Sequence, residues 1–190
     1  MKAAREAWPT TVANRSAKRL IFLDETWFST RMGRLYGYAP RGRRLDAAIP
    51  HGHWKTTTFV AGLTARGFIA PMVLDGPMNA DAFRAYLEQV LAKETRPGDL
   101  LVLDNLSSHK TKAVQDTLKS CGIDCLYLPP YSPDLNPIEN AFSKLKRLAR
   151  TAAERTVEGL WSAIGKFLDG FRPEECLNYL RHCGYHATIT

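Results

Sequence analysis

The sequence predicts an α/β domain with a mixed sheet and helices on both of its faces. Three observations support this fold class. Three strand-like segments precede the first clear helix, and a hairpin turn separates two of them. After that helix, short apolar runs alternate with helical segments, which is typical of strands joined through helices. The chain has 190 residues, 45% of them hydrophobic, so one domain can bury a substantial core without disulfides or metal ions.

The first half of the chain supplies the three consecutive strands. Residues 1–18 are polar and are expected to form an N-terminal extension with a short helix around Lys2 to Trp8. The apolar run 20–23 predicts a buried strand. A loop rich in Gly, Arg and Pro follows over residues 29–50, with room for one short strand. Residues 55–76 then predict a hairpin around the turn Ala-Arg-Gly.

The second half alternates helices with strands. Residues 79–94 give the clearest helix, because Asn79 can cap it and its apolar residues recur at spacings of three and four. The continuous apolar run 100–103 predicts a buried parallel strand. A helix that ends at Gly122 and a strand over 123–128 come next. Further helices are predicted over residues 137–150, 156–169 and 173–182.

Charge and composition favour a polyanionic partner. The chain holds 26 Lys and Arg against 19 Asp and Glu, a net charge of +7, which suits nucleic acid. No apolar run approaches the ~20 residues that span a bilayer, and the N-terminus lacks the apolar segment of a signal peptide. We therefore expect a cytoplasmic protein without a membrane partner.

The four cysteines predict reduced thiols in a core. None of them forms a C-x-x-C pair, and in a cytosolic protein they are expected to stay unpaired. A zinc site is the alternative, with poor ligand spacing, built from Cys121, Cys125, Cys183 and either His182 or His186.

Two aspartates follow short buried strands and form the first candidate site. Asp24 and Asp104 end the segments IFLD and LVLD. Neighbouring strands would bring the two carboxylates close together, where they repel unless a divalent cation lies between them. The alternative is that each aspartate only turns the chain off its strand. Glu139 is the candidate third ligand, although Asn136 and Glu139 also fit a capping box at a helix start.

Three segments carry a family resemblance. LDETWFS, LVLDNLSSHK and YLPPYSPDLNPIENAFSKLKR, in this order, resemble the DDE transposases of bacterial insertion sequences, in the branch related to mariner elements. The resemblance covers about Leu20 to Tyr185, and the third segment is the most specific. Between Asp104 and Glu139 lie residues 105–138, which are 34 residues, the aspartate-to-glutamate interval of that branch.

The resemblance implies a ribonuclease H-like catalytic domain over residues 19–190. It places the acidic triad at Asp24, Asp104 and Glu139. It also implies two Mg²⁺ or Mn²⁺ ions, cleavage of the phosphodiester at a transposon end, and attack of the freed 3′-OH on target DNA. Asn105 and His109 follow the second acid closely and are expected to support the ligands, with a purely structural role for His109 as the alternative.

Double-stranded DNA is the expected partner, and two basic segments are its candidate contacts. One follows Glu139 on a helix and the other is the arginine-rich loop, and a solvated surface is the alternative interpretation of the helix cluster. The predicted phosphate contacts are Lys144, Lys146, Arg147, Arg150, Arg31, Arg34, Arg41, Arg43 and Arg44. Trp27, Tyr36 and Tyr38 are candidates for base stacking, although core packing is the favoured role for Trp27. His51, His53, Trp54 and Lys55 are weaker DNA candidates.

The resemblance also implies what the chain lacks. Transposases of this kind usually begin with helix-turn-helix modules, and about 20 residues precede the first strand here. A separately encoded module or a truncated gene would explain this. Two other functions therefore stay open: a non-catalytic remnant that binds DNA or the full transposase as an inhibitor, and a nuclease that cleaves RNA–DNA hybrids. Because transposition pairs two DNA ends, at least a dimer is expected during the reaction.

Overall fold

A single five-stranded sheet forms the centre of the protein. The structure, a computed structural model, describes residues 2–12, 15–46 and 50–186. The strands are β1 (Leu20–Ser29), β2 (Thr56–Thr64), β3 (Gly67–Asp75), β4 (Leu100–Leu103) and β5 (Asp124–Tyr127). Their order across the sheet is β3-β2-β1-β4-β5. The pairs β1–β2 and β2–β3 are antiparallel, whereas β1–β4 and β4–β5 are parallel, so the sheet is mixed, as predicted.

Helices cover both faces of this sheet. They are α1 (Lys2–Val12), α2 (Ala80–Tyr86), a π-helical turn (Leu87–Leu91), α3 (Ala92–Glu94), α4 (Lys112–Ser120), α5 (Pro137–Ala152), α6 (Val157–Leu168) and α7 (Pro173–His182). Short 3₁₀ helices occupy Ala17–Arg19, Ser107–Lys110 and Pro133–Leu135. No helix of the described ranges is both long enough and apolar enough to cross a membrane.

The alternation of side chains along β1 divides the core in two. Phe22 and Phe28 point toward α1, α5, α6 and α7, where Phe142 and Leu180 are fully buried. Ile21 and Leu23 point to the opposite face and pack beside α2 and α4. Because successive residues of a strand face opposite sides, β1 packs against both helical layers.

β1 is longer than the sequence predicts. The predicted strand ends at residue 23, but the observed strand continues to Ser29 because its second half pairs antiparallel with β2, with Asp24 opposite Ala61. Asp24 therefore lies within a strand. The parallel ladder between β1 and β4 nevertheless stops at the pair Leu23 and Leu103, so Asp24 and Asp104 are the next residues after the same rung.

The N-terminal segment and the arginine-rich loop also differ from expectation. The N-terminal helix extends to Val12 instead of Trp8, and both side chains are buried in the core. Its apolar positions were too few for the sequence to predict that packing. In the arginine-rich loop, the described residues 31–46 and 50–55 contain no strand, and residues 47–49 lie outside the described part.

Candidate active site

Three acidic side chains line one open cavity beside the sheet. Asp24 on β1, Asp104 after β4 and Glu139 in the first turn of α5 are among the residues around a cavity of about 430 Å³. Asn105 and Asn136 also line it, and among the described residues no Lys, Arg or His does. The structure thus brings together the three acids that the sequence predicts as a site.

Asp24 is the most buried of the three carboxylates, with 8% of its surface exposed. Its Oδ1 accepts a hydrogen bond from the Glu25 backbone N–H at 2.8 Å, and its Oδ2 accepts one from Asn136 Nδ2 at 2.9 Å. Burial, together with the charges of Asp104 and Glu139, raises the pKa of Asp24 to about 7, although the hydrogen bond from the Glu25 N–H opposes the shift. Negative charge at this position is therefore costly without a cation.

Asn136 has a different role from the one the sequence predicts. In a capping box its side chain would bind a backbone N–H of the first turn, but no such hydrogen bond caps α5. The Glu139 N–H instead reaches the backbone oxygen of Asn136 at 3.2 Å, and the Asn136 amide holds Asp24. The capping-box prediction is thus wrong, because a buried carboxylate on β1 competes for the same side chain.

Asp104 and Glu25, both partly buried, form a cluster with the buried His109. His109 Nδ1 lies 2.7 Å from Asp104 Oδ1, and its Nε2 lies 3.3 Å from Glu25 Oε2. Glu25 Oε2 is buried and accepts no hydrogen bond from the described residues. Its contact with His109 is therefore an ion pair. The His109 ring is 2% exposed and stacks on Phe83, with ring centroids 4.5 Å apart.

The two carboxylates keep the His109 imidazole positively charged. Burial alone lowers its pKa, but the hydrogen bond with Asp104 and the charge of Glu25 outweigh burial and raise the pKa to about 9. Asp104 Oδ1 also accepts the Leu106 N–H at 3.1 Å, and the second oxygen, Oδ2, makes no hydrogen bond to the described residues. His109 therefore fixes one oxygen of Asp104 and leaves the other available. The contact of His109 with Glu25 is not predicted from the sequence.

The donor set fits hard divalent cations. Three carboxylates around a cavity without a basic lining residue offer the oxygen ligands that Mg²⁺ and Mn²⁺ prefer. Burial, and then repulsion from Asp104 and Glu139, raise the pKa of Asp24, and a bound cation would offset both effects. Within the described ranges, however, no three His, Cys, Asp or Glu side chains already converge closely enough to enclose an ion. Binding would thus require the carboxylates to approach one another.

On α5, a basic stripe continues from Glu139. Lys146 and Arg150 follow Glu139 by seven and eleven residues, about two and three helical turns, so all three share one side of the helix. Burial lowers the pKa of Lys146, and the carboxylates of Glu139 and Asp24 partly offset that effect, which places its ammonium near the cavity. The Lys146 Nζ lies 5.3 Å from the centroid of the half-exposed Trp27 ring.

Lys144 on the same helix faces elsewhere. Its Nζ lies 2.6 and 2.8 Å from the carboxylate oxygens of Glu175 on α7 and 4.3 Å from the centroid of the Phe171 ring. These contacts assign Lys144 to the packing of α5 against α7. They contradict its predicted role as a phosphate contact. Arg147 is exposed.

The predicted DNA contacts of the arginine-rich loop lie at the surface. Arg31, Arg34, Arg41, Arg43 and Arg44 are all exposed. Arg31 lies over the Trp54 ring, 4.7 Å from its centroid, and Tyr36 and Tyr38 are among the most exposed aromatic residues. The loop is thus accessible to a partner, and residues His51 to Lys55 at its end are exposed as well.

The zinc alternative fails on position. Cys121 and Cys125 pack on the face of the sheet that carries α2 and α4. Cys183 is buried in the opposite core cluster, beside α5 and α7. Since the sheet separates them, no single ion can bind all three.

The comparisons with known proteins agree with this fold. Residues 19–160, well over half of the chain, match the family described as DDE superfamily endonuclease. The chain belongs to this family of endonucleases. No curated protein sequence gives a significant match.

Solved structures of a mariner transposase share the fold. The Mos1 mariner paired-end complex with Mn has a TM-score of 0.77 at 22% identity, and the match covers 96% of this chain and 56% of that one. The isolated catalytic domain of Mos1 gives a TM-score of 0.66 at 21% identity, covering 96% and 84%. The chain therefore has the ribonuclease H-like fold, and it spans little more than half of the Mos1 chain in the DNA complexes.

Proposed function

We propose that this chain is the catalytic domain of a transposase, of the mariner-related branch found in bacterial insertion sequences. In this proposal it cleaves DNA at a transposon end and transfers the 3′-OH into target DNA. The observation that carries the proposal is the meeting of Asp24, Asp104 and Glu139 at one cavity without a basic lining residue. The 34-residue interval, the DDE endonuclease family and the fold of the Mos1 catalytic domain support it.

The residues of the cavity have separable roles. Asp24 would hold both of two Mg²⁺ or Mn²⁺ ions, while Asp104 and Glu139 would each complete one site. When bound, such ions activate the attacking oxygen and stabilise the leaving oxygen of an in-line displacement at phosphorus. Asn136, which directly precedes α5, holds Asp24 through a hydrogen bond. His109 holds Asp104 in the same way. Asn105 lines the cavity beside them.

Duplex DNA would lie along α5 and the arginine-rich loop. Lys146 and Arg150 continue the line of Glu139 and are placed to meet the phosphates that flank the scissile bond. Arg147 and the five arginines of the loop would contact more distant phosphates, because these side chains are exposed. Lys and Arg supply the salt-dependent part of DNA affinity.

The wider context of the proposal follows from the chemistry. Residues 19–190 would form the catalytic domain behind an extension at 1–18. Two DNA ends require at least a homodimer during the reaction, and recognition of the ends requires a DNA-binding module, such as a separately encoded helix-turn-helix part. The protein would act in the bacterial cytoplasm, on the nucleoid.

Metal-dependent nicking is the experiment that tests the proposed function. The purified chain should nick supercoiled plasmid DNA with Mg²⁺ or Mn²⁺ and should not do so with EDTA. Preferential cleavage of an RNA–DNA hybrid would instead favour a ribonuclease. DNA binding without nicking at any concentration of either metal would favour the non-catalytic inhibitor.

Neutralising the basic stripe should weaken DNA binding selectively. The double change Lys146→Gln and Arg150→Gln removes two phosphate contacts, so we expect duplex affinity to fall about tenfold and the salt dependence of log Kd to lose roughly two ions. Fluorescence anisotropy across a range of salt concentrations measures both quantities. Lys112→Gln with Lys119→Gln, on α4 at the far side of the sheet, is the matched control. Equal losses from the two double variants would contradict this placement of DNA.

A further inference from the structure

The N-terminal helix holds the loop that leads into α5. This loop, residues 131–136, is called the proline loop below. Arg5 of α1 contacts this loop through both terminal guanidinium nitrogens. Nη1 donates to Ser132 Oγ at 2.8 Å and to Asp134 Oδ1 at 2.9 Å, and Nη2 donates to Asp134 Oδ2 at 2.6 Å. A forked pair of this kind fixes direction as well as distance. The Arg5 hydrogen bond also lowers the pKa of Asp134.

A second contact from α1 reaches the same loop through the C-terminal segment. The buried Trp8 indole donates from Nε1 to the Tyr185 hydroxyl at 2.8 Å, and that hydroxyl donates to the Leu135 backbone oxygen at 2.7 Å. Tyr185 is itself buried, and its ring lies 4.7 Å from that of Phe22 on β1. Arg5 and Trp8 therefore fix the proline loop at two positions, three residues apart in α1.

The proline loop needs such external support. Tyr131 is 88% exposed and has a φ of 54°, a left-handed conformation that costs a bulky residue about 1 kcal/mol or more. Two backbone hydrogen bonds close the short 3₁₀ turn behind it, from the Leu135 N–H to Ser132 and from the Asn136 N–H to Pro133. A strained loop keeps its shape only when its surroundings determine it.

The proline loop lines one side of the candidate active site. It ends at Asn136, whose amide binds Asp24 Oδ2, and α5 with Glu139 begins directly after it. Two successive contacts therefore connect α1 to the carboxylate of Asp24. A shift of the proline loop would move Asn136 and the first turn of α5 together.

We propose that Arg5, Trp8 and Tyr185 are positioning residues, which hold the proline loop so that Asn136 and Glu139 keep their places opposite Asp24. The inference rests on the proposed function, because it assigns these contacts to the metal-dependent reaction. None of the three touches the cavity, so they act through the loop. Residues that the sequence assigns to an N-terminal extension thus become part of the catalytic apparatus.

Hydrogen exchange of the loop tests this inference without DNA or metal. In Arg5→Ala we expect the Leu135 and Asn136 amides, which the 3₁₀ turn protects, to exchange about tenfold faster, while the urea midpoint of the whole domain changes little, because the Arg5–Asp134 pair is largely exposed. Lys2→Ala, which removes an exposed cation of α1 without a side-chain partner among the described residues, is the matched control. Unchanged exchange in Arg5→Ala, or the same increase in Lys2→Ala, would overturn the proposal.

A double-mutant cycle and a metal titration complete the test. If Arg5 acts through Asp134, then Arg5→Ala combined with Asp134→Ala should speed exchange no more than either change alone. If the increase in exchange rate in the double variant equalled the product of the two single increases, the proposal would be overturned. The Mg²⁺ concentration for half-maximal nicking should also rise severalfold in Arg5→Ala at unchanged DNA affinity. If the wild type does not nick DNA, the proposed function fails, and the exchange measurements still decide whether Arg5 holds the loop.

Discussion

Replacing Glu139 by Gln is expected to reduce metal-dependent DNA nicking by about a thousandfold or more. The change keeps the size of the side chain and removes the negative charge that a divalent ion requires from its ligand. Loss of a group that stabilises developing charge costs about two to three orders of magnitude in rate, and loss of an ion from a two-ion site removes its whole contribution. Asp104→Asn should have a similar effect, measured as the initial rate of plasmid nicking.

Asp124→Asn is the matched control for these two changes. Asp124 begins β5 and is exposed, and it does not line the cavity. Its change removes the same charge from the same protein and should leave the nicking rate within about twofold, as is usual for an exposed position away from the chemistry. If Glu139→Gln retained more than about a tenth of the wild-type rate, Glu139 would not be a ligand, since a lost ion cannot leave that much activity.

The second large effect is a gain of stability when Asp24 is replaced by Asn. The pKa of Asp24 is about 7 in the metal-free fold and about 3.9 in an unfolded chain. A raised native pKa means that the stability contribution is fully present below about pH 4 and is lost as the pH rises through 7. A neutral amide avoids that loss, so Asp24→Asn should stabilise the metal-free protein at pH 8 by about 2–4 kcal/mol.

Urea unfolding with EDTA at several pH values measures this effect. The difference between Asp24→Asn and wild type should be small at pH 4, grow between pH 4 and 7, and level off above pH 7. Millimolar Mg²⁺ at pH 8 should stabilise the wild type and leave Asp24→Asn unchanged, because the variant lacks the ligand. If Asp24→Asn were less stable than wild type at pH 8, or if their difference in unfolding free energy did not depend on pH, ionisation of Asp24 would not destabilise the metal-free fold.

The fold could be predicted from short apolar runs and their separation by helices. Hydrophobic period and length located all five strands, because buried strands must be apolar on both faces. The length of β1 could not be predicted in the same way. Its second half, from Asp24 to Ser29, is polar or aromatic, and only the pairing with β2 shows that it continues as a strand.

The site was predicted in part, for a similar reason. Asp24 and Asp104 were found because each follows an apolar run, and the rung Leu23–Leu103 places them side by side. Asn136 was assigned to a cap, since local sequence shows its neighbours along the chain and not the carboxylate on β1. The contacts of Arg5 with residues 132 and 134 span more than 120 residues, which no local pattern encodes.

Anomalous scattering from a crystal soaked in Mn²⁺ is the most direct test of the central claim that Asp24, Asp104 and Glu139 hold the catalytic ions. The account predicts one or two anomalous peaks in the cavity, each within about 2.3 Å of an oxygen of Asp24 and of an oxygen of Asp104 or Glu139. Asp24→Asn crystals soaked in the same way should lose these peaks. Peaks only at other surface acids, or a cavity without Mn²⁺ at millimolar concentration, would contradict the account.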